Sequence, residues 1–274
     1  MFFTRLLSGI VLLAITIGCV CFGGYPLLLF VAFASFIGVF ELLRAYKLHK
    51  SAPGLAVYLL TVVYEGCLFC FSKNPLQVYH HMVMPLVMVL LLLLMAEYVI
   101  AYPKYRIEQI AFSDLSFVYV PVFLSMIYMV RSMNDGFYAV WLIFIAAWGS
   151  DTCAYCVGKL IGKHKMPSKL SPNKTIEGCV GGVIGAALIG FLYGLFVKDQ
   201  MTAFANPQLI FAIMGGIGSL IAQIGDLAAS AIKRNFELKD YGALIPGHGG
   251  IMDRFDSILF TAPVVFLLCL LGTM

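Results

Sequence analysis

Apolar runs of about 20 residues recur along the whole chain, and they restrict its fold more than any other feature. A helix of about 20 apolar residues is long enough to cross the hydrocarbon core of a bilayer. Of the 274 residues, 61% are hydrophobic and 12% are charged, and the mean hydropathy is +0.95. We therefore predict an all-α, polytopic integral membrane protein with about nine transmembrane helices, near residues 6–22, 26–43, 54–72, 82–101, 114–130, 137–157, 177–197, 207–230 and 255–273.

Little of the chain is left for chemistry outside the membrane. The longest segments between the predicted spans, 158–176 and 231–254, are the only ones with room for it. We therefore divide the chain into N-terminal transmembrane helices, residues 1–135, and a C-terminal half, residues 136–274, that carries both loops. The first apolar run also resembles a signal peptide, but a retained first helix is favoured in a chain with eight further spans.

The positive charges lie almost entirely on one side of this nine-span arrangement. Fifteen of the 18 Lys and Arg residues fall there, including those of both long loops, and three fall on the other side. The positive-inside rule then predicts a cytoplasmic N-terminus, cytoplasmic loops and an outside C-terminus. The net charge of +4 is modest. We expect membrane lipids, and no nucleic acid, among the partners.

The segment 230–256 is polar where nearly all of the chain is apolar. Cations neutralise phosphate oxygens, carboxylates hold hard divalent ions, and glycines let backbone N–H groups approach an anion closely. A Gly-His-Gly-Gly turn at 247–250 lies at its centre, and such a turn is incompatible with a stable helix. The composition predicts a phosphate and metal site, with charged or titratable side chains at Lys233, Arg234, Lys239, Asp240, His248, Asp253, Arg254 and Asp256.

Carboxylates inside membrane spans are costly, up to about 3 kcal/mol at the centre, so each requires an explanation. Glu41 has Arg44 three residues later, a spacing typical of a paired packing acid. Asp151 and Asp226 instead lie among small and polar residues near the inner end of their spans. Together with Asp253 they are expected to converge beneath the bilayer surface, as in a Mg²⁺ site for a polyphosphate.

The loop before residue 177 is a second polar segment, and Ser171 and Lys174 lead from it into the next helix. A helix start preceded by Ser, Thr or Pro favours an anion. A basic inside loop that contacts anionic lipid headgroups would have the same composition. The sequence leaves both interpretations open.

Taken together, these motifs resemble the signature of the phosphatidate cytidylyltransferase (CDP-diacylglycerol synthase) family. The resemblance is firm over about residues 148–260 and is limited to general hydropathy before that. The sequence departs from the family pattern at Asn173, where many members carry Lys, and at Ala229, where many carry Glu. The fixed signature positions are filled by Ser230, Lys233, Arg234, Lys239, Asp240, Gly242, Pro246, His248, Gly249, Gly250, Asp253, Arg254 and Asp256.

The resemblance implies transfer of the cytidylyl group of CTP to phosphatidate, giving CDP-diacylglycerol and pyrophosphate for phospholipid synthesis. It implies Mg²⁺ held by Asp226 and Asp253, with a second cation nearby as an open option. Lys233, Arg234, Lys239 and Arg254 would bind phosphates, and His248 would be a phosphate ligand in a turn whose backbone donates at Gly249 and Gly250. Second-rank contacts or orienting groups would be Asp151, Ser171, Lys174, Ser230, Asp240 and Asp256.

Two alternatives remain beside this hypothesis. A related CTP-dependent transferase acting on another lipid acceptor would share the signature. An ion-coupled transporter is disfavoured, because its acids should lie near the bilayer midplane and its halves should repeat. We expect a multi-pass protein of the inner (plasma) membrane with its site facing the cytoplasm, and Gly-rich helix faces favour close packing within one chain or in a homodimer.

Overall fold

The structure is a computed structural model that describes residues 2–166, 170–171 and 174–272, with the side chains of residues 6–271 inside those ranges. The described residues are largely helical and contain no strand. Two isolated backbone bridges join Lys165 to Thr175 and Ile245 to Gly249. The all-α prediction is confirmed.

Nine helical segments follow one another in the described ranges, and eight of them are long and apolar enough to cross a membrane. The apolar part of the first, Leu6–Phe22, is shorter. The prediction of a polytopic membrane protein is confirmed, whereas nine crossings and the side of each terminus stay predictions. The segments are α1 (Phe2–Phe22), α2 (Gly24–Ala45), α3 (Ala52–Cys70), α4 (Pro75–Ile100), α5 (Ile107–Arg131), α6 (Gly136–Ile161), α7 (Ile176–Gln200), α8 (Pro207–Asn235) and α9 (Met252–Gly272).

Several helices extend beyond the apolar runs that predicted them. Helices α4 and α5 begin seven residues earlier than expected, because their first turns contain polar residues that hydropathy does not count. The backbone N–H of Arg106 donates to Gln109 Oε1 at 2.9 Å, which caps the start of α5. The two long loops are correspondingly shorter than the predicted 158–176 and 231–254, since α6 continues to Ile161, α8 continues to Asn235 and α9 begins at Met252.

The chain forms two compact units, and the first contains Met1–Met129 together with Phe236–Arg254. Its core contains large, fully buried side chains such as Leu42, Tyr64 and Phe117. Phe236, at the start of the second long loop, packs against Tyr46 with ring centroids 4.8 Å apart. This aromatic contact ties the loop that follows α8 to the N-terminal helices.

The second unit contains Val130–Asn235 and Phe255–Met274. Helix α7 packs closely against α6 and α8, because glycines stand at the contacts. A Cβ atom at Gly185 would lie 2.5 Å from Cys153, and one at Gly190 would overlap the carbonyl oxygen of Phe211. The Gly-rich faces identified in the sequence are therefore used inside the chain, which allows helix backbones to approach one another.

Candidate active site

The Gly-rich turn lies outside any helix, in the first unit. Gly247 and Gly249 adopt φ angles of 76° and 83°, a left-handed conformation that residues with a Cβ rarely adopt. The backbone N–H of Ile245 donates to the Gly249 carbonyl at 2.9 Å, and the N–H of His248 donates to the Ile245 carbonyl at 2.9 Å. These bonds close the turn immediately before α9.

Two buried carboxylates attach this turn to its surroundings. Asp253 Oδ2 accepts hydrogen bonds from the backbone N–H groups of Tyr241, at 2.8 Å, and Gly250, at 3.0 Å. Glu41 accepts from the N–H groups of Ile251, at 3.2 Å, and Met252, at 2.9 Å. The first N–H groups of a helix have no partner within the helix, and a negative charge there is favourable. The acids therefore fix the turn to the start of α9.

The role of Glu41 differs from its interpretation as an acid paired with Arg44. Its side chain is 3% exposed and binds backbone that lies 210 positions further along the chain. Arg44 Nη2 donates instead to the carbonyl oxygen of Tyr241 at 2.7 Å. Helix α2 thus holds the loop at both ends, and spacing along the sequence gives no sign of this.

His248 is oriented by a residue of the first helix. The Ser8 hydroxyl donates to the Pro246 carbonyl at 3.1 Å and lies 2.9 Å from His248 Nδ1. Because the hydroxyl has a single proton, its bond to the carbonyl leaves Nδ1–H as the donor in the second contact. A neutral His248 then presents Nε2 as an acceptor, and only the protonated ring presents it as a donor to phosphate.

A group of acids and ammonium groups forms a second cluster, in the second unit. Lys174 Nζ lies 2.6 Å from Asp226 Oδ2, and both side chains are partly exposed. Asp151 and Asp256 each interact electrostatically with Asp226, and Lys233 interacts with Asp256. Within α6, a π-helical turn at Ile145–Gly149 immediately precedes the α-helical segment Ser150–Ile161, which begins next to Asp151. Such turns occur often at functional sites.

A cavity of about 380 Å³ opens beside this cluster, within the range of small-molecule sites. Gly178 in its lining lets α7 approach α6 closely, because a Cβ there would lie 2.8 Å from the Ala154 carbonyl oxygen. The cavity combines an acid, two ammonium groups, an aromatic ring and an amide, which suits a polar ligand that carries phosphate. Its polar lining includes Asp151, Tyr155, Lys159, Lys174, Thr175 and Gln223.

The fit of this donor set to a metal depends on the metal. Within residues 2–166, 170–171 and 174–272, no group of three or more His, Cys, Asp or Glu side chains is arranged to hold an ion. A zinc site held entirely by His, Cys and carboxylate side chains is therefore not formed by these residues. Mg²⁺ usually takes one or two carboxylates and completes its octahedron with phosphate oxygens and water. The neighbouring carboxylates of Asp226, Asp151 and Asp256 fit that requirement.

The predicted site residues divide between the two units. Arg234, Lys239, Asp240 and Arg254 are exposed, whereas Asp253 is 7% exposed. The first unit contains Lys239, Asp240, His248, Gly249, Gly250, Asp253 and Arg254. The second contains Asp151, Ser171, Lys174, Asp226, Ser230, Lys233, Arg234 and Asp256. Joint metal binding by Asp226 and Asp253 stays a prediction, and Asn173 lies outside the described residues.

Comparison with known proteins adds an independent line of support for the signature. A family model described as "Cytidylyltransferase family" matches residues 3–271. The chain belongs to this family. It is 30% identical over 270 residues to the phosphatidate cytidylyltransferase of Bacillus subtilis strain 168, covering 96% of each chain. It is 32% identical over 267 residues to the phosphatidate cytidylyltransferase of Staphylococcus saprophyticus, covering 96% of this chain and 97% of the relative.

The match to the family model includes the N-terminal helices, where the sequence motifs showed only a general similarity in hydropathy. This agrees with the structure, because Ser8 and Glu41 contact the signature turn from α1 and α2. Neither residue belongs to a recognisable motif. The cost of burying a carboxylate was the one available signal for Glu41, and nothing in the sequence indicated Ser8.

Proposed function

We propose that this chain transfers the cytidylyl group of CTP to phosphatidate, giving CDP-diacylglycerol and pyrophosphate. The proposal rests on one observation: 96% of this chain aligns with relatives named phosphatidate cytidylyltransferase. The site chemistry supports the same conclusion, since the cluster in the second unit combines ammonium groups with carboxylates as phosphate and Mg²⁺ binding require.

The reaction needs little covalent chemistry from the protein. A phosphate oxygen of phosphatidate attacks the α-phosphorus of CTP, and the bond from that phosphorus to the bridging oxygen of the β-phosphate breaks. A phosphate monoester is largely ionised at neutral pH, so no strong base is required. The protein contributes orientation of the two phosphates and neutralisation of the charge that accumulates on them.

Lys174 and Asp226 are the groups best placed to bind an incoming nucleotide in the second unit. Their ion pair, 2.6 Å long and partly exposed, keeps both charges satisfied before substrate arrives. A phosphate group that takes over the Lys174 ammonium releases the Asp226 carboxylate, and Lys159 adds a second ammonium along the cavity. Arg234 is exposed and suited to bidentate phosphate binding.

Asp226, together with Asp151 or Asp256, would hold Mg²⁺ in the second unit. When bound, Mg²⁺ supplies charge neutralisation and a fixed orientation for the phosphate oxygens. Lys233 partly neutralises Asp256, which lowers the cost of holding its carboxylate near that of Asp226. Asp253 as a further metal ligand, and a second cation, remain expectations from the family resemblance.

The substrates fit a site at the membrane surface, because phosphatidate carries its phosphate at the lipid headgroup while CTP is soluble. We place the site on the cytoplasmic face of the inner (plasma) membrane, on the basis of the 15 cations that the sequence assigns to that side. A homodimer is compatible with this arrangement.

Pyrophosphate release from CTP tests the proposal, with the detergent-purified full chain, phosphatidate and Mg²⁺. We expect release that requires the lipid, and loss of at least a hundredfold in Asp226→Asn, which removes the charge of the acid next to Lys174. Arg131→Gln, a charge change at a cation predicted on the outer side, is the control and should leave the rate unchanged.

The outcomes separate the reaction from the residue assignment. Lipid-dependent release that survives in Asp226→Asn would retain the reaction and refute the role of that carboxylate. A folded sample that binds CTP but releases no pyrophosphate with any phosphatidate would instead indicate another lipid acceptor. Running Asp253→Asn in parallel, with titration of Mg²⁺, tests the second predicted ligand.

A further inference from the structure

A second concave site lies in the first unit, where the loop after α2 meets the first turns of α3. Its volume is about 450 Å³, and its lining residues are His49, Lys50, Ser51, Ala52, Leu55 and Tyr58. None of them belongs to the signature or to the two clusters described above. We term this depression the α2–α3 pocket.

Two polar atoms in the lining lack hydrogen-bond partners within the described part of the chain. They are the Nδ1 atom of His49 and the hydroxyl of Tyr58, and both are shielded from solvent. The His49 ring is held in place by an edge contact with Phe40, with centroids 5.6 Å apart. A shielded polar group without a partner is unfavourable. A small rotation of either side chain towards the oxygen atoms of a ligand in the pocket would give it a partner.

The charge of the pocket favours an anion. Lys50 is exposed and contributes an ammonium group to the lining, which contains no acid. The start of α3 is already capped, because Gly54 N–H donates to Ser51 Oγ at 3.2 Å and Ala52 N–H donates to the Tyr105 hydroxyl at 3.4 Å. An anion here would therefore be held by side chains, with Lys50 neutralising it and His49 and Tyr58 donating hydrogen bonds.

The surface next to the pocket indicates that this anion carries an apolar chain. Leu55 belongs to the lining, and the exposed Leu59 and Val62 follow it at helical spacing along the same face of α3. A phosphate group in the pocket would thus lie at the end of an apolar strip in a membrane-spanning helix. A free phosphate ion would make no contact with such a strip, whereas the acyl chain of a phospholipid would pack against it.

We propose that the α2–α3 pocket binds the headgroup of an anionic glycerophospholipid, whose acyl chain lies along Leu55, Leu59 and Val62. This pocket shares no residue with the cluster proposed to bind CTP and phosphatidate, and the proposal does not depend on the reaction. It assigns to the N-terminal helices a lipid-binding role that the signature does not include.

Native mass spectrometry of the detergent-purified full chain tests this, with added dioleoyl phosphatidylglycerol as the probe. We expect retained lipid adducts in the wild type. The apparent affinity should fall about fivefold in Lys50→Gln, which removes one charge, and about tenfold in Tyr58→Phe, which removes one hydroxyl. Lys47→Gln makes the same charge change three positions away, outside the lining, and should bind like the wild type.

Each other outcome overturns the proposal. Equal binding by all variants would place the lipid elsewhere, and equal binding of dioleoyl phosphatidylcholine would remove the role of charge. Inorganic phosphate that displaces the lipid completely at millimolar concentration would show a site for a free anion. Thermal unfolding of each variant without lipid is measured alongside, and Tyr58→Phe keeps the ring, so a loss of adducts is separable from a loss of folding.

Discussion

Replacing Glu41 with Gln should loosen the signature turn without changing the shape of the side chain. Glu41 is 3% exposed and accepts two backbone hydrogen bonds, from Ile251 at 3.2 Å and Met252 at 2.9 Å. Gln keeps one acceptor oxygen and presents an NH₂ group to the other N–H. One bond to a charged group, worth about 1.5–3 kcal/mol, is therefore lost and one N–H is left without a partner.

A loss of about 2–3 kcal/mol raises the open population of the turn by roughly 30- to 150-fold. Hydrogen exchange measured by mass spectrometry should show this as faster exchange in peptides that cover residues 245–252, with α3 unchanged. Pyrophosphate release should fall at least tenfold. Glu97→Gln is the matched control, since Glu97 Oε2 is shielded yet has no hydrogen-bond partner in the described chain.

Unchanged exchange over 245–252 in Glu41→Gln, relative to Glu97→Gln, would refute the structural role assigned to Glu41. Faster exchange across every helix would instead indicate general destabilisation, and would equally contradict a local role. Faster exchange with full activity would retain the contact and show that the turn does not limit the reaction.

Three further substitutions test other contacts. Lys174→Gln removes the ammonium 2.6 Å from Asp226 and should raise the KM for CTP about tenfold, whereas an unchanged KM would refute its role in binding. The unfolding temperature should change little, because ion pairs that remain partly exposed to solvent contribute about 1 kcal/mol or less. Ser8→Ala removes the hydroxyl 2.9 Å from His248 and should lower kcat about tenfold with normal unfolding, whereas wild-type kcat would show that this contact is dispensable. Gly250→Ala places a Cβ against the Glu41 carboxylate and should lower the free energy of unfolding by about 1–3 kcal/mol. A variant with wild-type stability and activity would contradict this packing.

The sequence predicted the membrane helices well wherever apolar residues extend to the helix ends. It missed the first turns of α4 and α5, since polar side chains can occupy a helix end without breaking the helix. The turn around His248 was recognisable because flanking glycines exclude a helix. In each of these cases, the local residues are sufficient to determine the local backbone.

The partners of the site residues were not predictable in the same way. The contact of Glu41 with Met252 spans 211 positions, and that of Ser8 with His248 spans 240. The Lys174–Asp226 pair joins residues 52 positions apart. Tertiary packing determines these pairs, and no periodicity or spacing encodes them. The sequence could therefore name most of the polar residues of the site but not what holds them in place.

The long separation between Glu41 and the backbone that it binds also has a consequence for synthesis of the protein. The chain leaves the ribosome at about 5–20 residues per second, so the 210 residues between Glu41 and Ile251 take roughly 10–40 s to make. During that time, α2 has been made but the N–H groups that donate to its Glu41 carboxylate do not yet exist. The first unit can therefore be completed only when the chain is nearly finished, and a nascent chain that stops before residue 251 leaves the Glu41 carboxylate without these two hydrogen bonds.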